Sequence, residues 1–582
     1  MQLHSRWAHT LLLFALSLPY CINLGTSSIW DANEAFYAET PREMLGSGDY
    51  IAPHFNFAPR AQKPPLTYWV ILAAYRLLGV NEFAVRLPSA FAAIGVILFS
   101  YGIARLLFNP RAGLMAALVT ATTARIFILA RRLPIDILLI FFLMGTLFFL
   151  IWAIQTGKKW RWACAYLFSA LGFMTKGPVA LFAPAVSCFI WLLRSRQIKL
   201  RSTHPLIGAV VFGLVTLPWY AMVFRSHGWT YIAPFFLRDN LGRFASESLG
   251  PSRGYFYYFS VAATDFFPWS ILALCTVWLL WMNRKSARPL KSLEFGLPIL
   301  WCATFFLLFS FSKNKQEYYI APIYPVAGIL LSGIMEIAFC RNRSNLSVPG
   351  GNVGAVSRNE NESGLVLAES WWFRAYVLMA LLIFLVSLIA PYVFHSFMPD
   401  ILLVLHYLPS LVLAAGSVIL AWSIFRKKLF QCFMTLGLSL WIVYLLTASV
   451  YLPGLEPYRP VKRFCHVIER QRGSGDSAGY FRTALPSMVY YLRQPVFEEY
   501  DVGAMTRRLQ SGKRVFCILA EKDYNYFADK KDLEIYILDR NARFSIRFGA
   551  LLNSGYFPEE ELLLISNRPE SPTESSRDDS RS

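Results

Sequence analysis

Apolar runs close to the length a helix needs to cross a bilayer, about 20 residues, recur along most of this chain. Hydrocarbon offers backbone amides no hydrogen bonds, so such runs can only be helices or strands of a closed barrel, and their length selects helices. Spans fall near 7–25, 83–107, 112–130, 137–155, 162–175, 179–194, 206–225, 259–282, 293–311, 320–340, 373–394, 402–425 and 430–452. That gives about thirteen transmembrane helices, with two short pieces at 162–175 and 179–194. Hydrophobic residues make up 55% and charged residues 16%, against roughly 45–50% and about 25% in soluble domains. The class is a polytopic α-helical membrane protein. A net charge of +20 would suggest nucleic acid in a soluble chain, but here it sits in loops between spans, which excludes that reading. Nine cysteines show no CxxC pair and no zinc-ligand spacing.

Loop charge sets the expected orientation. Arg6 precedes the first run, Trp7–Leu24, and no A-x-A site follows, so this reads as an uncleaved first span with a cytoplasmic N-terminus. The short basic turns Lys158–Arg161, Arg194–Arg201, Asn283–Lys291 and Arg426–Lys428 then face the cytoplasm, as the positive-inside rule expects. An odd number of spans places the C-terminal region outside. Yet Arg131, Arg132, Lys176, Arg225, Arg238, Arg243, Arg253, Lys313 and Lys315 fall on the outer side, where orientation does not need them. An anionic headgroup at the outer leaflet is the simplest use for them.

Acids share that side. Asp136 opens the fourth span, Asp239 lies in FFLRDNLGRF and Glu317 in SKNKQEYY. A charge at the bilayer centre costs roughly 2.5–3.5 kcal/mol, and the span middles are clean. This suits a reaction at the membrane surface better than a transporter, which places polar groups at the midplane. The first long polar stretch, Ile29–Trp69, holds Asp31, Glu34, Glu39, Arg42, Glu43, Asp49, Arg60 and Lys63. On a helix Asp31 and Glu34 would share a face, with Tyr37 one turn beyond Asn33. Carboxylates followed by Arg and Lys can deprotonate a hydroxyl and hold an anionic leaving group; a solvated loop with a capping acid is the plain alternative. Thr67–Gly79 is apolar but too short to span. It reads as an interfacial helix, with Tyr68, Trp69 and Tyr75 at headgroup depth.

The organisation expected is a transmembrane part over residues 1–452, containing the first extracytoplasmic loop (26–82) and a Gly/Ser/Asn-rich cytoplasmic linker (341–371). A small extracytoplasmic α/β domain follows over 453–568, then a disordered tail over 569–582. In that domain Lys462–Gln471 and Ser487–Leu492 read as helices, and Arg514–Glu521, Leu533–Leu538 and Glu561–Ser566 as strands.

The segments NEAFYAETPREML, SGDYIAPHFN, KPPLTYW and NEFAVRLPSA, in that order, resemble the first loop of lipid-carrier-dependent glycosyltransferases. These are family 39 enzymes with the GT-C fold, related to protein O-mannosyltransferases and bacterial aminoarabinose (lipid A) transferase. PID at 134–136, TKGPVALFAP at 175–184, DNLGRF at 239–244 and FSFSKNKQEYYIAPIYP at 309–325 extend the resemblance over nearly the whole chain. It implies an inverting transfer of a monosaccharide from a polyprenyl-phosphate donor to an envelope acceptor (lipid A or another glycolipid, a glycan or a protein). The place implied is the periplasmic face of a bacterial inner membrane. Carried over residue by residue, Lys63 contacts the phosphate with Tyr37 and Arg60 nearby. Arg243 and Lys313 or Lys315 neutralise it, Tyr318 or Tyr319 lines the pocket, and Asp136 is a second acid.

Two departures stand out. Relatives commonly carry Asp-Glu where this chain has Asn33 and Glu34, so the base falls to Asp31, with Glu34 second. The aminoarabinose-transferring relatives have a Glu and a His that help bind metal; here Gln62 and Asn240 stand in those places. Asp136 and Asp239 are left as candidate ligands of a divalent ion. No nucleotide cofactor is expected. A lipid-linked-sugar flippase and a non-catalytic glycan assembly protein are the competing readings.

Overall fold

The computed structural model of the chain describes residues 2–132, 134–195, 200–245, 253–282, 293–346, 361–397, 403–528, 530, 533–543 and 560–570. Each apolar run named above lies on a helix. Among the described residues seven helices are long and apolar enough to cross a membrane alone, and nine if two bent pairs each count as one. The pairs are Pro110–Ala121 with Ala124–Arg132, bent by 60°, and Tyr257–Asp265 with Trp269–Trp278, bent by 120°. Trp7–Cys21, Val179–Ser195 and Ile323–Ile337 are shorter. Length and apolarity alone therefore stop short of thirteen, because several helices are short or bent.

Helix Pro134–Thr156 is the hub, with 72% of its apolar window buried against 22% for Arg201–His227. Gly145 lets helix Lys159–Lys176 press onto it, since a Cβ there would lie 2.0 Å from the Phe168 ring. Asn81 and Asn109 cap the helices that follow them by accepting from the amides of Ala84 and Ala112 at 2.8 and 2.9 Å.

The first loop folds as a layer over one end of this bundle. Helix Asn33–Ser47 begins after Asp31, so Asp31 and Glu34 do not share a helical face. The apolar helix Leu66–Leu78 packs against it. Its aromatics are not interfacial anchors, contrary to the sequence pattern: Tyr68 and Tyr75 are buried inside the layer. Tyr75 Oη donates to Ala38 O at 2.7 Å, and Trp69 Nε1 donates to Tyr50 O at 2.7 Å. A two-residue hairpin joins the helices, β1 (His54–Phe55) with β2 (Ala58–Pro59).

Beyond Tyr451 lies a five-stranded mixed sheet of β3 (Ser477–Phe481), β4 (Val496–Glu499), β5 (Val515–Ala520), β6 (Tyr536–Arg543) and β7 (Glu560–Ser566). Its order is β4-β3-β5-β7-β6. Strand β3 runs parallel to β4 and β5, and β7 antiparallel to β5 and β6. Every residue of β5 is buried, which is why its apolar run was readable. The strand expected at Leu533–Leu538 lies later, at Tyr536–Arg543, and β3 and β4 had no counterpart in the pattern. The helices at Pro460–Gln471 and Ser487–Leu492 match expectation. The sheet unit docks on the first loop. Asn56 exchanges two hydrogen bonds with the Val496 backbone at 2.8 and 2.9 Å, and Lys462 pairs with Glu82 at 2.7 Å.

Of the linker expected at 341–371, residues 347–360 lie outside the described set, and from Asn361 to Phe397 the chain is one helix. In the tail, 571–582 also lie outside it.

Candidate active site

Helix ends converge on a cleft of about 720 Å³ at the bundle end that carries the first loop. Lys63 stands just before the Pro64-Pro65 entry into helix Leu66–Leu78. Asp136 lies in the first turn of Pro134–Thr156, and Lys176 is the last residue of Lys159–Lys176. Gly177 ends that helix with φ +93°, and a Cβ there would meet the Phe235 ring at 2.3 Å, so a larger residue would push Lys176 off its place. Asp239 belongs to a π-wound segment, Pro234–Gly242, and Arg243 follows it. Tyr318 and Tyr319 come from the short turn Glu317–Ile320. Leu139, Ile140, Phe305 and Phe309 form the apolar wall that continues into the bundle.

The polar side chains are paired, and unevenly. Lys176 donates to the Asp136 carboxylate. Asp239 lies between Lys63 Nζ, 3.6 Å from one oxygen, and Arg243 Nε, 3.5 Å from the other. Three cations face two carboxylates in the lining, leaving one positive charge in excess. Burial pushes the Lys63 ammonium down to about 8; Asp239 opposes the shift, while Lys176, Arg243 and Arg60 add to it. The Lys176 ammonium also lies 5.2 Å from both the Tyr318 and Tyr319 ring centres. A further anion would relieve both the buried lysine and the charge excess.

Behind the tyrosine turn, Arg125 makes a bidentate pair with Asp265 at 2.7 and 2.8 Å and reaches Glu317 at 3.1 Å. Tyr324 Oη donates to the same Asp265 at 2.9 Å. This network fixes the turn that presents Tyr318 and Tyr319. An arginine inside the apolar run ATTARIFILA was its sequence signal, because a lone charge there is costly without a partner. Lys176 carried a signal as well, an unneeded outer lysine within TKGPVALFAP.

Lys63, Asp136, Asp239, Arg243, Tyr318 and Tyr319 are thus brought together. The other expected site residues are not in the lining. Glu34 is fully buried and bound by Arg86 at 2.6 and 3.0 Å, and it also accepts from the Trp30 amide at 2.8 Å. It is a structural counter-ion with no oxygen free to serve as a base. Asp31 turns toward the sheet unit, accepting from Ser487 N and Oγ at 2.7 Å each. Burial raises its carboxyl to about 6, against the opposing pull of those hydrogen bonds. Tyr37 is buried and stacked on Tyr68 with ring centres 5.6 Å apart. The Arg60 guanidinium lies 4.0 Å over Phe36. Lys313 is exposed and gives its backbone amide to Phe244 O at 2.9 Å. Lys315 is buried and donates to Ser312 O at 2.6 Å.

The donor set does not fit a divalent ion. Asp136 and Asp239 share the cleft, but each carboxylate is engaged by cationic side chains. Among the described residues no three His, Cys, Asp or Glu side chains gather. Asn240 turns its amide back to Phe235 O at 2.7 Å.

The family model of dolichyl-phosphate-mannose-protein mannosyltransferases matches residues 62–221. An uncharacterized protein of Aquifex aeolicus (strain VF5) is 27% identical over 58% of this chain and 66% of its own length. An undecaprenyl phosphate-alpha-4-amino-4-deoxy-L-arabinose arabinosyl transferase of Pectobacterium carotovorum is 30% identical over 56% of this chain and 59% of its own. The chain spans less than two thirds of these relatives' length. The crystal structure of ArnT from Cupriavidus metallidurans bound to undecaprenyl phosphate superposes with a TM-score of 0.72 at 19% identity. That match covers 98% of this chain and 99% of that one.

Proposed function

We propose that this chain, which resembles the lipid-carrier-dependent glycosyltransferases and shares their fold, moves a monosaccharide from a polyprenyl-phosphate donor to an envelope acceptor. The observation that carries this reading is the joining, in one cleft, of an excess of half-buried cations to an apolar wall. A polyprenyl phosphate has the matching halves.

In this reading Lys63, Arg243 and Lys176 hold the phosphate, and Leu139, Ile140, Phe305 and Phe309 lie along the first prenyl units. Asp136 takes the acceptor's hydroxyl proton. The acceptor oxygen bonds to the anomeric carbon on the face opposite the phosphate, the bond from carbon to phosphate oxygen breaks, and configuration inverts. Charge grows on the departing phosphate, so fixed cations there stabilise the transition state more than the ground state. Asp239 orients Lys63 and Arg243. The basic turns Lys158–Arg161 and Arg426–Lys428 favour a cytoplasmic N-terminus and a periplasmic cleft.

Membranes supplied with labelled donor test this. Asp136→Asn and Lys63→Ala should each lose transfer while the wild type makes a covalent product. Full transfer by Asp136→Asn would reject the site, and donor movement across the membrane without any product would favour a flippase. Mass spectrometry of envelope glycolipids with and without the gene would name sugar and acceptor.

A further inference from the structure

A second, open pocket lies at the seam between bundle and sheet unit, with about 580 Å³ of space including its mouth, and no step of the proposed transfer uses it. Arg132 enters it from the end of helix Ala124–Arg132, Arg459 from the turn before helix Pro460–Gln471, and Arg543 from the end of β6. Asp31 is the carboxylate in its lining. Arg132 and Arg459 both stack on the Trp30 ring, at 3.9 and 4.0 Å. Two guanidiniums on one indole repel each other, yet among the described residues neither has a carboxylate closer than 3.7 Å.

Arg459 is the more telling of the two. Its side chain is 8% exposed, Glu456 stands 3.7 Å away, and its Nη1 has no hydrogen-bond partner among the described residues. Burial pushes its guanidinium down to about 10, the direction expected of a buried cation short of compensation. Among the described residues Arg132 makes no ion pair, and Arg543 bonds only Thr483 Oγ1, at 3.1 Å. Glu34, the nearest other acid, is already taken by Arg86.

We infer that this seam pocket binds a phosphate monoester group, held by Arg132, Arg459 and Arg543. Planar guanidiniums suit the oxygens of a phosphate, and three of them against the carboxylates of Asp31 and, 3.7 Å from Arg459, Glu456 leave a net positive charge for it. The group is contributed to by bundle, connector and sheet alike, so its binding ties the sheet unit to the membrane part. Arg132 and Asp136 are four residues apart, which puts their backbones within about 14 Å. The two pockets share no lining residue, so binding in this one does not depend on transfer in the cleft.

The phosphate can come from a lipid headgroup or from free phosphate, and two arms separate them. In the first, inorganic phosphate is titrated into the full-length protein in detergent at constant ionic strength. The expected result is two sites, one lost in Lys63→Gln and the other weakened by about tenfold or more in Arg459→Gln and in Arg543→Gln. Arg543 touches little else, so its variant keeps the test meaningful where Arg459→Gln fails to fold. In the second, nanodiscs of phosphatidylcholine with or without phosphatidic acid replace free phosphate. Loss of binding in the arginine variants in either arm supports the site and names its source. Unchanged affinity and stoichiometry in both arginine variants, or no binding to either probe beyond the Lys63 site, overturns it. Loss of the Lys63 site alone bears on the cleft and leaves the seam pocket standing.

Discussion

Lys63 and Arg243 grip opposite oxygens of one carboxylate, that of Asp239, at 3.6 and 3.5 Å. Both distances are beyond a good hydrogen bond, so the carboxylate places the two cations without saturating them. It also holds up the Lys63 ammonium, which burial pushes down to about 8. In Asp239→Asn that support is gone and the lysine titrates lower still. Donor KM should rise on the order of tenfold at pH 8, because an ammonium that titrates well below the working pH is mostly neutral, and much less at pH 6.5. Steady-state kinetics at both pH values check this. An equal rise at both would mean that Asp239 acts through something other than the charge of Lys63.

The wild-type protein should carry the same signature. Phosphate binding favours the charged lysine, so affinity is full below about 8 and falls as pH climbs through it, by about tenfold for each further pH unit. Binding raises the lysine's pKa, so a proton is taken up near pH 8. Lys63→Arg stays charged and should flatten the alkaline limb of donor KM, at some cost in affinity because a guanidinium does not match the shape of an ammonium site. A limb that persists unchanged in Lys63→Arg would assign it to another group.

The membrane class was legible in the sequence, because insertion cost confines charge to helix ends. Asp136, Asp239 and Arg243 stood out as charges at such ends and Lys63 through the resemblance, and the fold brings the four into one cleft. The roles of Asp31 and Glu34 were not. Both stand in the most acidic stretch of the first loop, and nothing local says that Arg86, a distant arginine in sequence, will claim Glu34, or that Ser487 will claim Asp31. Spacing along a helix pointed to the wrong face as well, since the helix starts at Asn33. Lys313 and Lys315 are likewise outside the cleft lining, and the ammonium of Lys315 turns onto Ser312 O. Long-range pairing of charges is what decides such cases, and it is absent from local pattern.

Glu34 and Asp136 should therefore respond to mutation in opposite ways. Removing one partner of a buried ion pair costs about 3–5 kcal/mol, and Arg86 also donates to the carbonyls of Leu24, Ser27 and Ser28. Glu34→Gln should lower the melting temperature and the yield of folded protein, with the kcat of what folds largely kept. Asp136→Asn should keep the fold and lose about 10²–10⁴ in kcat, the usual contribution of a positioned proton acceptor. Measuring both quantities on both variants decides; a stable Glu34→Gln protein with no turnover would return Glu34 to the chemistry.

The seam between first loop and sheet rests on Asn56, whose side-chain amide donates to Val496 O and accepts from Val496 N. Val496 opens β4, the edge strand, so its backbone has few other neighbours to turn to. Asn56→Ala removes both bonds and leaves the amide and carbonyl of the buried Val496 without them, at a net cost of about 1–3 kcal/mol. The effect should be local. Amide exchange at Val496 and along β4 should quicken by about tenfold or more, while donor KM, set by Lys63 and Arg243 in the cleft, stays as it was. Exchange at β4 equal to the wild type would show that Lys462–Glu82 and the Ser487–Asp31 contact hold the sheet without Asn56.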